Sequence, residues 1–351
     1  MLFRSALILV VSWIVSGMDI RQRYDILKMV CASTIALLCL NTVLCEAIIF
    51  FDTSPVLAFF HGTGDVIKGT VYSRAASLDR YSGIFNQPIE SGLAYSTGLL
   101  FWVFLAVGSN RVIWASWPCL IFLLAGGIFS VSKVFIFGGI PLAMGLGLWH
   151  SIGQSGFRIA GMRELFKKTG LGLVLLYSLL HFWSGLDRFF RYFSPGYYSE
   201  RGFVSGITAK RFGVENGGVM PKFNQVWEES PFWGFGAYID GALDNAYLEF
   251  FYYGGLVALF LYVIVLLIIL FQALRAESCH CPLGKLLFAI WVLIIGAGMG
   301  APVLTLNRAS VFLWVAIVII FSILAAHRDQ ENKPIPDATR ENTVFAFSRK
   351  G

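Results

Sequence analysis

Asp244 and Asn245 stand side by side where a Gly-rich, aromatic stretch, Ser230 to Leu256 (SPFWGFGAYIDGALDNAYLEFFYYGGL), turns into a long apolar run. A carboxylate held there could accept the proton of an attacking hydroxyl, or orient that hydroxyl. Asp and Asn are also the residues preferred at a helix N-cap whatever the function. Both readings stand on the sequence. Ahead of the pair, Gly234 and Gly236 let the backbone take positive φ or approach a ligand closely. A helix starting nearby offers unpaired N–H groups and the positive end of its dipole, a setting suited to an anion. Tyr247 and Leu248, three and four positions after Asp244, would share its helix face.

Cations are the second resource. Lys68, Arg74, Arg80, Lys133, Arg188, Arg191, Arg201, Lys210, Arg211, Lys222 and Arg308 fall in segments that the span assignment below puts on the outer face. Lysine and arginine on that side serve no topogenic purpose, so an anionic substrate at the outer leaflet is the simplest reason for them. The plainer reading is a set of solvated pairs with Asp79, Glu90, Asp187 and Glu228. Aromatic residues crowd the same region, among them Tyr192, Phe193, Trp227, Phe232 and Trp233. They suit an interfacial belt of amphipathic rings or stacking on a sugar, and one ring can do both. Cys279-His280-Cys281 could be a metal half-site, but two thiols and one imidazole packed this closely rarely close a tetrahedral site unaided. No metal or other cofactor is expected.

These residues must be positioned by membrane helices. The chain has 351 residues, 57% hydrophobic and only 14% charged, with a mean hydropathy of +0.70. Soluble domains average about 25% charged residues. The expectation is therefore an all-α polytopic membrane protein. Apolar runs long enough to span fall at roughly 5–17, 29–51, 92–108, 112–130, 134–150, 169–185, 246–271, 286–304 and 310–326, nine in all, the first of them short. Basic residues in Arg21–Lys28, in Ser151–Lys168 and after His327 then share one side, which the positive-inside rule makes the cytoplasm. Residues 1–328 read as one transmembrane domain with two long outer loops, 52–91 and 186–243, and 329–351 as a disordered cytoplasmic tail. The net charge of +6 is accounted for by anionic headgroups and needs no nucleic acid. Glu46 and His181 are ionisable residues inside spans, and both read as hydrogen-bonded interior groups.

Three outer-face pieces recur in a definite order. Asp79-Arg80-Tyr81-Ser82-Gly83-Ile84-Phe85-Asn86-Gln87-Pro88 precedes a span, and Ser130-Val131-Ser132-Lys133 joins two others. Arg211 is then followed by Ser230-Pro231-Phe232-Trp233-Gly234-Phe235-Gly236, Asp244-Asn245-Ala246-Tyr247-Leu248 and Gly254-Gly255-Leu256. This order resembles the O-antigen polymerase and O-antigen ligase superfamily, whose patterns look like R-x-x-G-x-F-x-x-P, S-[RK], a loop arginine, N-P-x-x-G-x-G, and [HD]-N-x-Y-L leading to Gly-Leu. The likeness runs from about Arg80 to Val263. It departs at Asp244, where the ligase branch usually has His, in the loop before it, and in a shorter N-terminal part.

The resemblance implies a polytopic transferase of the bacterial inner membrane, with its site facing the periplasm. It would move a glycan from undecaprenyl pyrophosphate to a sugar hydroxyl of the next lipid-linked repeat unit. In that reaction Asp244 handles the hydroxyl, while Arg80 and Arg211 meet the leaving pyrophosphate, because arginine forks bind phosphate oxygens bidentately and stay charged. Preorganised cations there supply the stabilisation that other enzymes take from a metal. Lys133, Asn245, Tyr247, Gly234, Gly236 and Trp233 would contribute to substrate binding. A chain-length regulator is an implied partner. The readings left open are a ligase that transfers glycan to lipid A–core, a lipid-linked oligosaccharide transporter, and a membrane scaffold.

Overall fold

A segment crossing lipid must satisfy its own backbone hydrogen bonds, and a helix does this within one segment. The computed structural model describes residues 2–51, 54–61, 71–108, 117–153, 189–190, 192–194, 196, 219–236, 243, 245–278, 282–306 and 308–331. Among these the secondary structure is all helical. The helices are α1 (Leu2–Ser16), α2 (Ile20–Phe50), α3 (Ser54–His61), α4 (Val71–Ala76), α5 (Pro88–Gly108), α6 (Trp117–Phe129), a π turn (Val134–Gly139) running into α7 (Ile140–Gly153), α8 (Val219–Glu229), α9 (Ala246–Ser278), α10 (Pro282–Gly298) and α11 (Ala309–Glu331).

Four stretches are long and apolar enough to cross a membrane: Ile20–Ile48, Pro88–Ala106, Ala246–Ala276 and Ala309–Asp329. The apolar helices Ala6–Ser16, Trp117–Phe129, Val134–His150 and Pro282–Gly298 are shorter. Helices thus fall within the expected spans as far as these are described; 169–185 and the first part of 112–130, residues 112–116, lie outside the described residues, as do Cys279-His280-Cys281, His181 and the tail beyond Glu331.

Three boundaries differ from the hydropathy reading. α2 begins at Ile20, nine residues before the apolar run, because Asp19 and Gln22 close a capping box. Asp19 accepts from the Gln22 backbone N–H at 2.8 Å and Gln22 Oε1 accepts from the Asp19 N–H at 3.1 Å. α10 stops at Gly298, and 299–308 forms a connection containing Pro302. The third difference is in α9, which is broken at Gly254 (φ −136°, ψ 19°) and Gly255 (φ 62°, ψ −155°). Tyr247 and Tyr262 lie on either side of the break with ring centroids 5.6 Å apart. A straight helix would separate them by roughly 22 Å along its axis. The first two turns, 246–253, therefore fold back on the rest, and the apolar run from Ala246 is two helices.

α5 is the central element and touches α2, α6, the π turn, α7, α10 and α11. Close approach is possible because small residues face bulky ones, with Gly126 against Tyr95 and Gly127 against Phe135. α9 lies at the periphery and packs chiefly on α10, with α8 lying across its first turns. Arg23, Lys285 and Arg328 gather at one end of the bundle. Arg23 donates to the Ser16, Met18 and Ser322 carbonyls, Lys285 to the Trp149 carbonyl, and Arg328 to Gln272 Oε1. The opposite end carries every described candidate site residue.

Candidate functional site

The loop end is assembled from segments far apart in sequence. Arg80 lies half-buried after α4, and its guanidinium donates to the Ser130 carbonyl (3.4 Å) and the Val131 carbonyl (3.2 Å). The Tyr81 N–H donates to the Phe129 carbonyl at 3.0 Å. Arg80 and the Ser130–Lys133 turn, the first two pieces of the sequence pattern, are thus one structural unit. Two non-glycine residues at this junction have positive φ, Asp79 at 52° and Val131 at 47°. For a β-branched residue this is strained, and such strain collects at functional positions. Lys133, two residues past the grip, places its Nζ 4.7 Å from the centre of the Tyr192 ring, a cation–π distance. That contact brings the start of the second long loop to the same place.

The Ser82–Gln87 turn is held by residues that hydropathy alone does not single out. Asn41, buried in α2, accepts from the Ile84 N–H at 2.8 Å and donates to the Ser82 carbonyl at 3.4 Å. Gly83 has φ +60°, and an added Cβ would stand 2.1 Å from Asn41 Oδ1. His61 Nε2 lies 2.8 Å from the Gly83 carbonyl, so the imidazole donates there. Burial lowers the pKa of His61 and Arg308 adds to that, while the Gly83 hydrogen bond and Glu90 oppose it. The net direction keeps the ring neutral. Glu90 is fully buried and accepts from three backbone N–H groups, those of Asn86, Arg308 and Ala309. It therefore ties the motif loop to the start of α11. Arg308 itself donates to the Phe60 carbonyl at 2.8 Å and sits over the Phe60 ring.

The third piece is a latch. The Phe235 and Gly236 N–H groups donate to the Tyr252 and Tyr253 carbonyls (2.8 and 2.9 Å), and the Leu256 N–H donates to the Pro231 carbonyl (2.8 Å). The break at Gly254–Gly255 frees the Tyr252 and Tyr253 carbonyls and the Leu256 N–H, which an unbroken helix would use internally. Gly234 (φ +64°) approaches the Tyr252 carbonyl so closely that a Cβ would lie 2.5 Å from it. The close approach anticipated for this glycine is thus to α9 itself. Gly236 (φ +75°) has open space where its Cβ would be. Trp233 projects from the latch, 75% exposed.

Asn245 caps α9: its Oδ1 accepts from the Leu248 N–H at 2.9 Å and its Nδ2 donates to the Met299 carbonyl at 3.1 Å. Its amide is committed to structure, as the N-cap reading holds. Tyr247 donates to the Ile295 carbonyl at 3.2 Å. Thr305 donates to the buried Glu249 carboxylate at 3.2 Å, and so the 299–308 connection joins α9 to Glu90. A cleft of about 270 Å³ lies between α8 and the first turns of α9, lined by Val219, Phe223, Asn245, Tyr247, Leu248 and Phe251 among others. Asp244 and Arg211 lie outside the described residues. Among the described residues no three His, Cys, Asp or Glu side chains come together.

The arrangement offers two half-buried cations flanking one turn, a carboxylate-braced loop beside them, and an apolar cleft at the start of α9. No family model, curated protein or solved structure matches this chain.

Proposed function

We propose that the chain is a polysaccharide polymerase of a bacterial inner membrane, a metal-independent glycosyltransferase acting at its loop end on the periplasmic side. The observation that carries the proposal is the union of Arg80 with the Ser130–Lys133 turn: pieces 50 residues apart meet through hydrogen bonds and set two cations at one place. The order of the motifs, from Arg80 to the Gly-Leu pair after Asn245, supports the same reading. The donor is a growing glycan on undecaprenyl pyrophosphate, and the acceptor is the non-reducing end of the next lipid-linked repeat unit. A bond forms between the acceptor oxygen and the anomeric carbon. The bond from that carbon to the pyrophosphate oxygen breaks, and the leaving group takes its electron pair. Arg80 and Lys133, with Arg211 from the second loop, offset the charge that develops on the pyrophosphate. Asp244 accepts or directs the acceptor proton.

The test uses purified protein in nanodiscs with its own lipid-linked repeat unit, with and without lipid A–core, in EDTA. A product ladder from the repeat unit alone is the expected result. Transfer that requires lipid A–core would make the chain a ligase. Absence of product in every arm, with folded protein, would overturn the transferase reading in favour of transport or scaffolding.

A further inference from the structure

α8 has an apolar arc wider than the surface it packs on. On a helical wheel Val226, Val219, Phe223, Trp227 and Met220 cover a continuous sector of about 120°, while Lys222, Asn224, Gln225, Glu228 and Glu229, with Pro221 among them, fill the rest. Only one edge of the sector is covered. Val226 is fully buried against Leu243, Leu248 and Phe251. Across the sector Phe223, Met220 and Trp227 are 38%, 43% and 55% exposed. Phe223 and Trp227 stack on each other at 12° between planes, and both also pack against Phe251, so the open edge is tied to α9. The latch adds Phe232 and Trp233, 62% and 75% exposed.

This surface is continuous with the lipid-facing side of α9. The Leu256 N–H is bonded to the Pro231 carbonyl, which fixes residues 231–233 at the level where the straight part of α9 begins. Immediately below, Val257, Phe260 and Leu261 are exposed large apolar side chains on a span long enough to cross a membrane. A helix that is apolar on one side, charged on the other and low in net hydrophobicity is the kind that lies in a membrane interface. Tryptophan is enriched at that depth because its ring is apolar and its N–H is polar.

We infer that α8 and the latch form a bilayer-docking surface, with Met220, Phe223, Trp227, Phe232 and Trp233 seated in the headgroup–acyl boundary of the leaflet beside α9. The indoles of Trp227 and Trp233 serve as anchors, and the cleft beneath α8 is held at the membrane surface. This inference does not depend on the polymerase reading.

The experiment places a nitroxide on single cysteines at position 227 or 233, and at 225 or 228 on the polar side, in a chain whose six native cysteines are alanine. Collision with oxygen, which partitions into lipid, is compared with collision with a water-soluble nickel chelate in phosphatidylethanolamine–phosphatidylglycerol nanodiscs. The inference expects the oxygen-to-nickel ratio at 227 and 233 to exceed that at 225 and 228 several-fold. Equal ratios at all four sites overturn it. Protection that appears only on adding lipid-linked glycan, or only at high protein concentration in detergent, also overturns it, in favour of sugar stacking or a second copy. Should the cysteine-free chain not fold, W227F and W233F in the otherwise native chain provide the same test. Each should remove tryptophan emission that phospholipids brominated near the headgroup quench in wild type, and loss of only unquenched emission refutes the docking.

Discussion

Replacing Gly255 with alanine tests the latch most directly. Its φ of +62° with ψ −155° is a conformation essentially confined to glycine, and a side chain there costs about 1–3 kcal/mol. The added Cβ would also stand 2.2 Å from the Phe232 carbonyl carbon and 2.5 Å from the Trp233 nitrogen. Those are backbone atoms, so no rotamer change relieves the overlap. The 230–236 loop must move away or the break in α9 must rearrange. Moving the loop forfeits the hydrogen bonds of Phe235, Gly236 and Leu256, each worth about 0.5–1.5 kcal/mol net. Relaxation recovers part of the strain, so the local loss should be about 2–4 kcal/mol, which is roughly thirtyfold to a thousandfold in the opening equilibrium. Hydrogen exchange of those amides in nanodiscs reads that opening. Gly236→Ala is the control: its φ is +75° but the space is open, so exchange should change much less there. Polymer synthesis should fall in G255A while the protein remains in the membrane. Wild-type exchange at Phe235, Gly236 and Leu256 in G255A would refute the latch.

Further substitutions probe the other joints. Asn245→Ala removes both the cap on Leu248 and the tether to Met299, and should lower stability by about 1–2 kcal/mol. Asn245→Asp should restore most of the cap, and thermal unfolding in detergent separates the two. His61 is kept neutral by burial, so its folded pKa lies below that of the released side chain. The unfolded state then binds more protons, and stability should fall as pH drops below about 6.5. His61→Gln should flatten that part of the unfolding profile between pH 7.5 and pH 5, and an unchanged slope would remove His61 as its source. Arg80→Lys should lose most polymer despite keeping the charge, because a point charge does not replace a fork held on two carbonyls. Wild-type chain lengths would remove the pyrophosphate clamp. Asp244→Ala should abolish polymer and Asp244→Asn should fold but retain little activity, whereas full activity in both would leave only a capping role.

The four helices long and apolar enough to cross a membrane were legible because each contains a long apolar run, and a segment crossing lipid is constrained to be helical almost regardless of detail. What the hydropathy reading missed depends on short-range signals or distant partners. The early start of α2 has a local signature, Asp19 three residues before Gln22. The break in α9 was also written locally, in Gly254-Gly255, yet the surrounding run is so apolar that its length masks two glycines. Only the latch explains them, since the backbone groups freed by the break need partners and 231–236 supplies them.

Asn41 and Glu90 show why the rest of the site was harder to read. Each is a single polar residue in or beside an apolar span, and neither lies in a recognisable spacing. Their roles arise from partners distant in the chain: Asn41 holds Ser82 and Ile84, and Glu90 reaches Arg308 and Ala309. Such residues are expensive to bury in a membrane protein, so each must be hydrogen-bonded, and what it bonds is worth asking of any isolated polar residue in a span. For this chain both answers point to the same place. Asn41 shapes the Ser82–Ile84 turn that follows Arg80, while Glu90 and Thr305 bind that loop and α9 to the 299–308 connection. A chain of hydrogen bonds through Glu249, Thr305 and Glu90 therefore links the first turns of α9 to the loop that follows Arg80. Glu90→Gln keeps the shape but replaces a carboxylate that accepts three N–H groups with an amide that also brings donors. It should loosen the Asn86 and Ala309 amides bonded to Glu90 while leaving the latch amides as they are, a separation that hydrogen exchange at Asn86 and Ala309 against Phe235 and Leu256 would resolve.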